Sequence, residues 1–327
     1  MSVGRALIAA LGLALSLSFP AALAGAPAAP AGKLPASALR TLLASQDALS
    51  ELQFERAERL ARQVVLGYPA HPLPRIFLQG ALLARIQEKM NAQEDDAGLL
   101  TDFNRESDSA VDLALQWEAI RPGPEAKLFL GNALGARGLV KLYQGSILAA
   151  YGDGQKAAAE LRAAVALDPA LYEAYLGLGQ YEYYCGRMNG VLRFVANLQG
   201  NAAAGIALLK QAADKGVYTA TPAQAALARI LSQEEVDFNA ALPYLKVLRR
   251  RYPGNYYYAQ YALAVAHGLG WQDPRARRLA GSVYAQWDRG WRPPSYAKLD
   301  VAGSRTEMAE AAPLRQVKEL SLAERMD

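Results

Sequence analysis

The sequence predicts an all-α protein, an α-solenoid of helix–turn–helix repeats with some elongated helices. Two observations carry that prediction. Ala and Leu are abundant, β-branched runs are scarce, and 52% of the 327 residues are hydrophobic. Strong helix formers at that density favour helix throughout, and the apolar content suffices for one large core or an extended stack. The second observation is a recurring spacing. A small residue precedes a proline by twelve positions at Ala57 and Pro69, Ala110 and Pro122, Ala157 and Pro169, and Ala241 and Pro253. Proline ends one helix pair and can open the next, so a fixed distance to it marks a repeated unit.

The first residues stand apart. Arg5 is a short positive segment, Ala6 to Phe19 is apolar, Pro20 breaks the run, and Ala22-Leu23-Ala24 follows. This order reads as a secretory signal peptide, residues 1–24, cut after Ala24. The competing reading is an uncleaved membrane anchor, for which the apolar core is short. Residues 25–36, rich in Ala, Pro and Gly, read as a flexible leader. Export makes the mature chain periplasmic or secreted, with no stable membrane span after cleavage. The residue directly after the cleavage site is Gly25 and not a cysteine, which argues against a lipid anchor. Cys185 is the only cysteine, so no internal disulfide can form.

The repeat region is read as residues 37–290. Apolar residues at helical spacing run from Leu39 to Leu49, and Phe54 to Tyr68 is the second helix, with Ala57, Ala61 and Val64 on one face. The second unit, Pro74 to Pro122, has long helices from Arg75 to Gln93 and from Leu99 to Ile120, joined by Glu94-Asp95-Asp96. That acidic run lacks the calcium-loop pattern and reads as a solvated linker before a helix start. The third unit begins at Pro124. Its first helix is expected to continue to about Tyr151, with Gly152-Asp153-Gly154 as the turn and Gln155 to Leu167 as the return helix. The fourth opens at Leu171 and carries an extra segment, Met188 to Gly200, before the return helix from Ala202 to Lys215. The fifth spans Thr221 to Pro253 and ends in Arg249-Arg250-Arg251, a basic end that complements the helix dipole. The sixth runs from Asn255 to about Trp287, and residues 291–327 read as a C-terminal cap or tail.

Little in the chain points to catalysis. His71 lies between prolines in a turn, His267 ends a helix, and Cys185 has no base near it in sequence. The run Gly131-Asn132-Ala133-Leu134-Gly135 follows no strand and is not a phosphate loop. No zinc spacing or serine elbow is present, so the expectation is no enzyme, no cofactor and no metal. The net charge is +4 with both signs interspersed, which gives no nucleic-acid stripe.

The stretch from Asp153 to Tyr184 joins two units. Ala157, Leu161, Ala164 and Pro169 close one, and Tyr175, Leu178 and Gly179 open the next. These residues resemble exported bacterial tetratricopeptide repeat proteins, whose units are helix–turn–helix elements of about 34 residues. The resemblance is specific in the third to fifth units and looser elsewhere. It implies a binding scaffold whose first helices line a groove for a protein or peptide partner. Carried over position by position, the groove would present Glu125 and Asn132 in the third unit and Glu173, Gln180, Tyr183 and Tyr184 in the fourth. Arg229 and Gln233 follow in the fifth, and Tyr257 and Gln260 in the sixth. An aromatic and amide-rich surface suits recognition of a peptide backbone. A carrier for an apolar small molecule in the same tyrosine-lined concavity is the second reading.

Overall fold

The computed structural model describes residues 32–188, 200–297 and 299–311. The residues read as a signal peptide, most of those read as a leader, residues 189–199 of the extra segment and the last sixteen residues lie outside that range. Thirteen α-helices and no strand are found among the described residues. The protein is all-α, as the composition predicts.

The helices are α1 (Ala36–Ser50), α2 (Phe54–Gly67), α3 (Pro72–Asn91), α4 (Ala97–Ile120), α5 (Pro124–Tyr143), α6 (Ile147–Leu167), α7 (Ala174–Arg187) and α8 (Ala202–Lys215). They continue as α9 (Ala220–Arg229), α10 (Phe238–Arg251), α11 (Tyr256–Leu269), α12 (Pro274–Asp288) and α13 (Val301–Glu310). They pack as successive neighbours, α1 on α2, α3 on α4, α5 on α6, α7 on α8 and α11 on α12. The chain divides into two compact units, residues 1–220 and 221–327. That division falls within the stretch read as one solenoid from the sequence.

One register recurs in the second helix of each pair. Ala57, Ala61 and Val64 are buried in α2, Ala110, Ala114 and Trp117 in α4, and Ala157, Leu161 and Ala164 in α6. Gly205, Leu209 and Ala212 take the same places in α8, and Ala241, Leu245 and Leu248 in α10. Residues at i, i+4 and i+7 share one helix face, so each second helix buries the same stripe. The spacing to proline missed Gly205, because Val217 stands where the proline would be.

The helix ends repeat as well. Tyr68, Arg121, Asp168 and Tyr252 each precede a proline. Their φ and ψ are −137° and 60°, −136° and 70°, −143° and 96°, and −127° and 65°. Each still donates its N–H to the carbonyl four residues back, at 2.9, 2.7, 2.9 and 2.8 Å. The proline ring excludes the helical conformation from the residue before it, so all four helices stop in the same way.

In three pairs the close approach of the helices is set by a small residue on the first helix. Ser45 of α1 donates its hydroxyl to the Ala57 carbonyl at 2.7 Å. A Cβ at Gly131 of α5 would lie 3.1 Å from the Ala157 carbonyl and 2.7 Å from Leu161. At Gly179 of α7 it would lie 3.0 Å from the Gly205 carbonyl. Three pairs thus bring equivalent small positions together, where a larger side chain would force the helices apart.

The third pair corrects the expected turn. Gly152-Asp153-Gly154 lies inside α6, and the chain turns instead at Gln144-Gly145-Ser146, where Gly145 takes a φ of 76°. Asp153 is buried between the helices. It accepts from Arg137 Nε and Nη2 at 2.8 and 2.9 Å and from Lys141 Nζ at 2.7 Å. Burial alone would raise this carboxyl; the Arg137 and Lys141 hydrogen bonds outweigh it and hold it below the usual carboxylate range. Two helix-weakening glycines are tolerated beside it because α5 packs on that surface.

Arg249 lies in the basic last turn of α10, as the sequence reading has it. It is buried, and donates to the carbonyls of Pro253, Asn255 and Ser282. Burial pushes its guanidinium down to about 10. It ties the last turn of α10 to α12 within the second unit.

Candidate functional site

In the first unit the face formed by first helices is built from α3, α5 and α7. Asn132 of α5 is half-buried, and its Oδ1 lies 3.4 Å from where a Cβ would stand on Gly177 of α7. The two helices therefore adjoin along this line. Glu125 occupies the first turn of α5 and is exposed, where the helix dipole favours a carboxylate. Gln180 and Tyr184 of α7 are half-buried and follow on the same helix.

Two predicted groove residues are placed otherwise. Tyr183 is fully buried, at 0% exposure. Gly205 of α8 lies so close that a Cβ there would stand 2.5 Å from the Tyr183 nitrogen. The glycine contact draws α8 over this flank of α7, and Tyr183 becomes core. Its ring meets Tyr184 edge-on, with centroids 5.1 Å apart. Glu173 is also buried, and its carboxylate accepts the Val217 N–H at 2.6 Å. That carboxylate holds the chain's own turn after α8.

The turn brings in residues that the sequence reading missed. Tyr218 packs edge-on against Phe77 of α3, with centroids 5.4 Å apart. Burial, with Glu173 and Glu125 nearby, raises its phenol well above the ordinary value. The N-terminal ends of α3, α5 and α7 thus converge on one aromatic side chain. No local pattern signals this, because Phe77 and Tyr218 are far apart in sequence.

The second unit holds the other predicted residues. The end of α9 widens into a π-helical turn, Ile230–Glu234. Arg229 pairs with Glu234 across it at 2.8 Å, and Gln233 is exposed. Tyr261 of α11, absent from the sequence reading, has its phenol raised by burial. Arg229 lowers it and Glu234 raises it, so both reach the same ring. Tyr257 is half-buried and stacks on Tyr256 at 4.2 Å, while Gln260 is exposed. Tyr256 and Tyr258 are core. Such π turns often occur at functional sites because they re-aim side chains.

The titratable residues weighed for chemistry have structural partners. His71 is buried against Trp117 and Phe129, at centroid distances of 4.5 and 5.6 Å. Its Nδ1 accepts the Leu73 N–H at 3.2 Å and caps α3. Burial, then the Arg121 charge, push it down to about 4. Asp96 caps α4 by accepting from Leu99 at 2.8 Å, and Glu94 pairs with Lys89. His267 is exposed beside Glu307 at 3.3 Å. Cys185 is buried. Among the described residues no group of three or more His, Cys, Asp or Glu is placed to hold a metal ion.

What the two faces offer is hydrogen bonding from amides, a carboxylate or a guanidinium beside half-covered phenol rings. No family model matches this chain, and no curated protein matches it in sequence.

Proposed function

We propose that the chain is a non-enzymatic binding scaffold of the tetratricopeptide-repeat kind, exported and cut after Ala24. It takes a peptide segment of a partner protein on the faces of its first helices. The observation that carries this reading is the repeated register. Five second helices bury one stripe and four of them stop identically before proline, which leaves the first helices of each unit to present a face of their own. In the first unit that face is Glu125, Asn132, Gln180 and Tyr184. In the second it is Arg229, Gln233, Tyr257 and Gln260.

A half-covered tyrosine between amides is a suitable anchor. Aromatic anchors dominate interface energetics, with losses of about 2 kcal/mol or more on truncation, roughly thirty-fold in affinity. The test uses the mature chain against a displayed peptide library. Selected peptides should bind the wild type and lose at least that factor to Asn132→Ala, Gln180→Ala and Tyr184→Ala combined, with melting unchanged. Selection of no peptide, or peptides indifferent to both faces, overturns the reading.

A further inference from the structure

The charges of the first unit are sorted by helix face. Arg75 and Arg85 of α3 pair with Glu106 and Glu58. Lys127 of α5 pairs with Glu118 and Glu160, and Arg137 and Lys141 pair with Asp153. All of those carboxylates belong to second helices. The cations of the first helices are therefore turned toward α2, α4 and α6 and neutralised there. The two remaining cations of α3, α5 and α7, Lys89 and Arg187, stand in last turns.

At the opposite ends of these helices two carboxylates lack such partners. Glu125 is exposed in the first turn of α5, and Glu173 caps the start of α7 at 9% exposure. Neither makes an ion pair among the described residues. Glu173 accepts the Val217 N–H through Oε1 alone. Covering a carboxylate without a cation beside it is costly, so a positive group brought to this end gains more than at an exposed pair. Tyr218 is the third group here. Its ring meets Phe77 edge-on, and the residue before it is held by Glu173. Its phenol is raised by burial first, then by Glu173 and Glu125, and no cation offsets them. An aromatic face beside carboxylates attracts an ammonium or guanidinium group.

The helix register places this level on the peptide-binding face. Glu125 precedes Asn132 by seven residues on α5, and Glu173 precedes Gln180 by seven on α7. The carboxylates form one level and the amides another. Seven helical residues rise about 10 Å, the length of about three residues of extended chain.

We propose that the peptide segment taken by the first unit carries a lysine or arginine whose cationic group pairs with Glu125 over the Tyr218 ring, in the field of Glu173. It stands about three residues from the one that meets Asn132 and Gln180. The proposal rests on the peptide-binding reading of this face and adds the sign and the place of the charge.

The test takes peptides selected from a displayed library by the mature chain, resynthesised with a fluorophore and titrated by anisotropy. Those lost to the combined Asn132→Ala, Gln180→Ala and Tyr184→Ala change should share one Lys or Arg. Glu125→Gln with Glu173→Gln, which keeps an oxygen for the Val217 N–H, should weaken them at least about ten-fold with melting unchanged. Norleucine in place of the shared Lys or Arg should weaken binding to the wild type by as much. On the double variant it should cost little more, because the coupling is already gone. Raising salt from about 50 to about 500 mM should weaken the cationic peptide and leave the norleucine peptide nearly unchanged. Peptides that bind this face without a shared cation, indifference to the double variant, or additive losses overturn the proposal and leave the peptide-binding reading standing. Selection of no peptide overturns both.

Discussion

His71 should make the fold acid-sensitive in a defined window. It is 4% exposed, packed on Trp117 and Phe129, and its Nδ1 must be unprotonated to accept the Leu73 N–H. Its folded pKa is pushed down to about 4 from 6.5, by burial and then by Arg121. A depressed histidine pKa favours the neutral form in the folded state. The stability it contributes is therefore complete above pH 6.5 and is lost as pH falls from 6.5 toward 4, below which this group adds no further slope. At about 1.36 kcal/mol per pH unit, the full loss is about 3 kcal/mol. The comparison is His71→Asn, which retains a capping oxygen for α3 but does not titrate. The variant starts less stable because its ring contacts are gone. Urea melts between pH 7 and 4 should show the wild type losing about 3 kcal/mol more than the variant. Carboxylates titrate in both proteins and cancel in the difference. Parallel profiles would refute the argument and mean that His71 is solvated or charged in the fold.

Other outcomes follow from the packing. Asp153→Ala leaves Arg137 with Asp108 alone and takes the buried carboxylate from Lys141, and should cost about 3 kcal/mol in urea unfolding, the lower end for half of a buried ion pair. Tyr183→Ala should lower stability by about 3–5 kcal/mol, whereas Tyr184→Ala should leave melting nearly unchanged and act on peptide binding. Gly205→Val should cost about 1–3 kcal/mol or more by driving α8 off Tyr183, seen as an early thermal transition. Gly145→Ala, at positive φ, should cost about 1 kcal/mol, measured as a shift in urea midpoint.

The helices were legible because their signals are local. Composition gave helix, and the proline spacing placed the ends of α2, α4, α6 and α10 to within a residue. The turn of the third pair was not legible. Gly152-Asp153-Gly154 has turn composition, yet Asp153 is held inside α6 by Arg137 and Lys141 from the facing helix, and of these three glycines Gly145 takes the left-handed conformation. The burial of Arg249 escaped for the same reason, since its acceptors are carbonyls of a turn and of α12.

For the candidate site, an offset along a helix specifies an angle around its axis and nothing about what covers that angle. The sequence by itself determined the helical class, the repeated stripe and its stop before proline, because propensity, i to i+7 periodicity and pre-proline sterics act within one or two turns of chain. Only the tertiary structure decided that Tyr183 is core, that Glu173 holds the Val217 turn, and that Tyr218 reaches Phe77. Each of those outcomes depends on how closely two helices approach, and that distance is set by small residues such as Gly179 and Gly205 that meet only after the chain has folded.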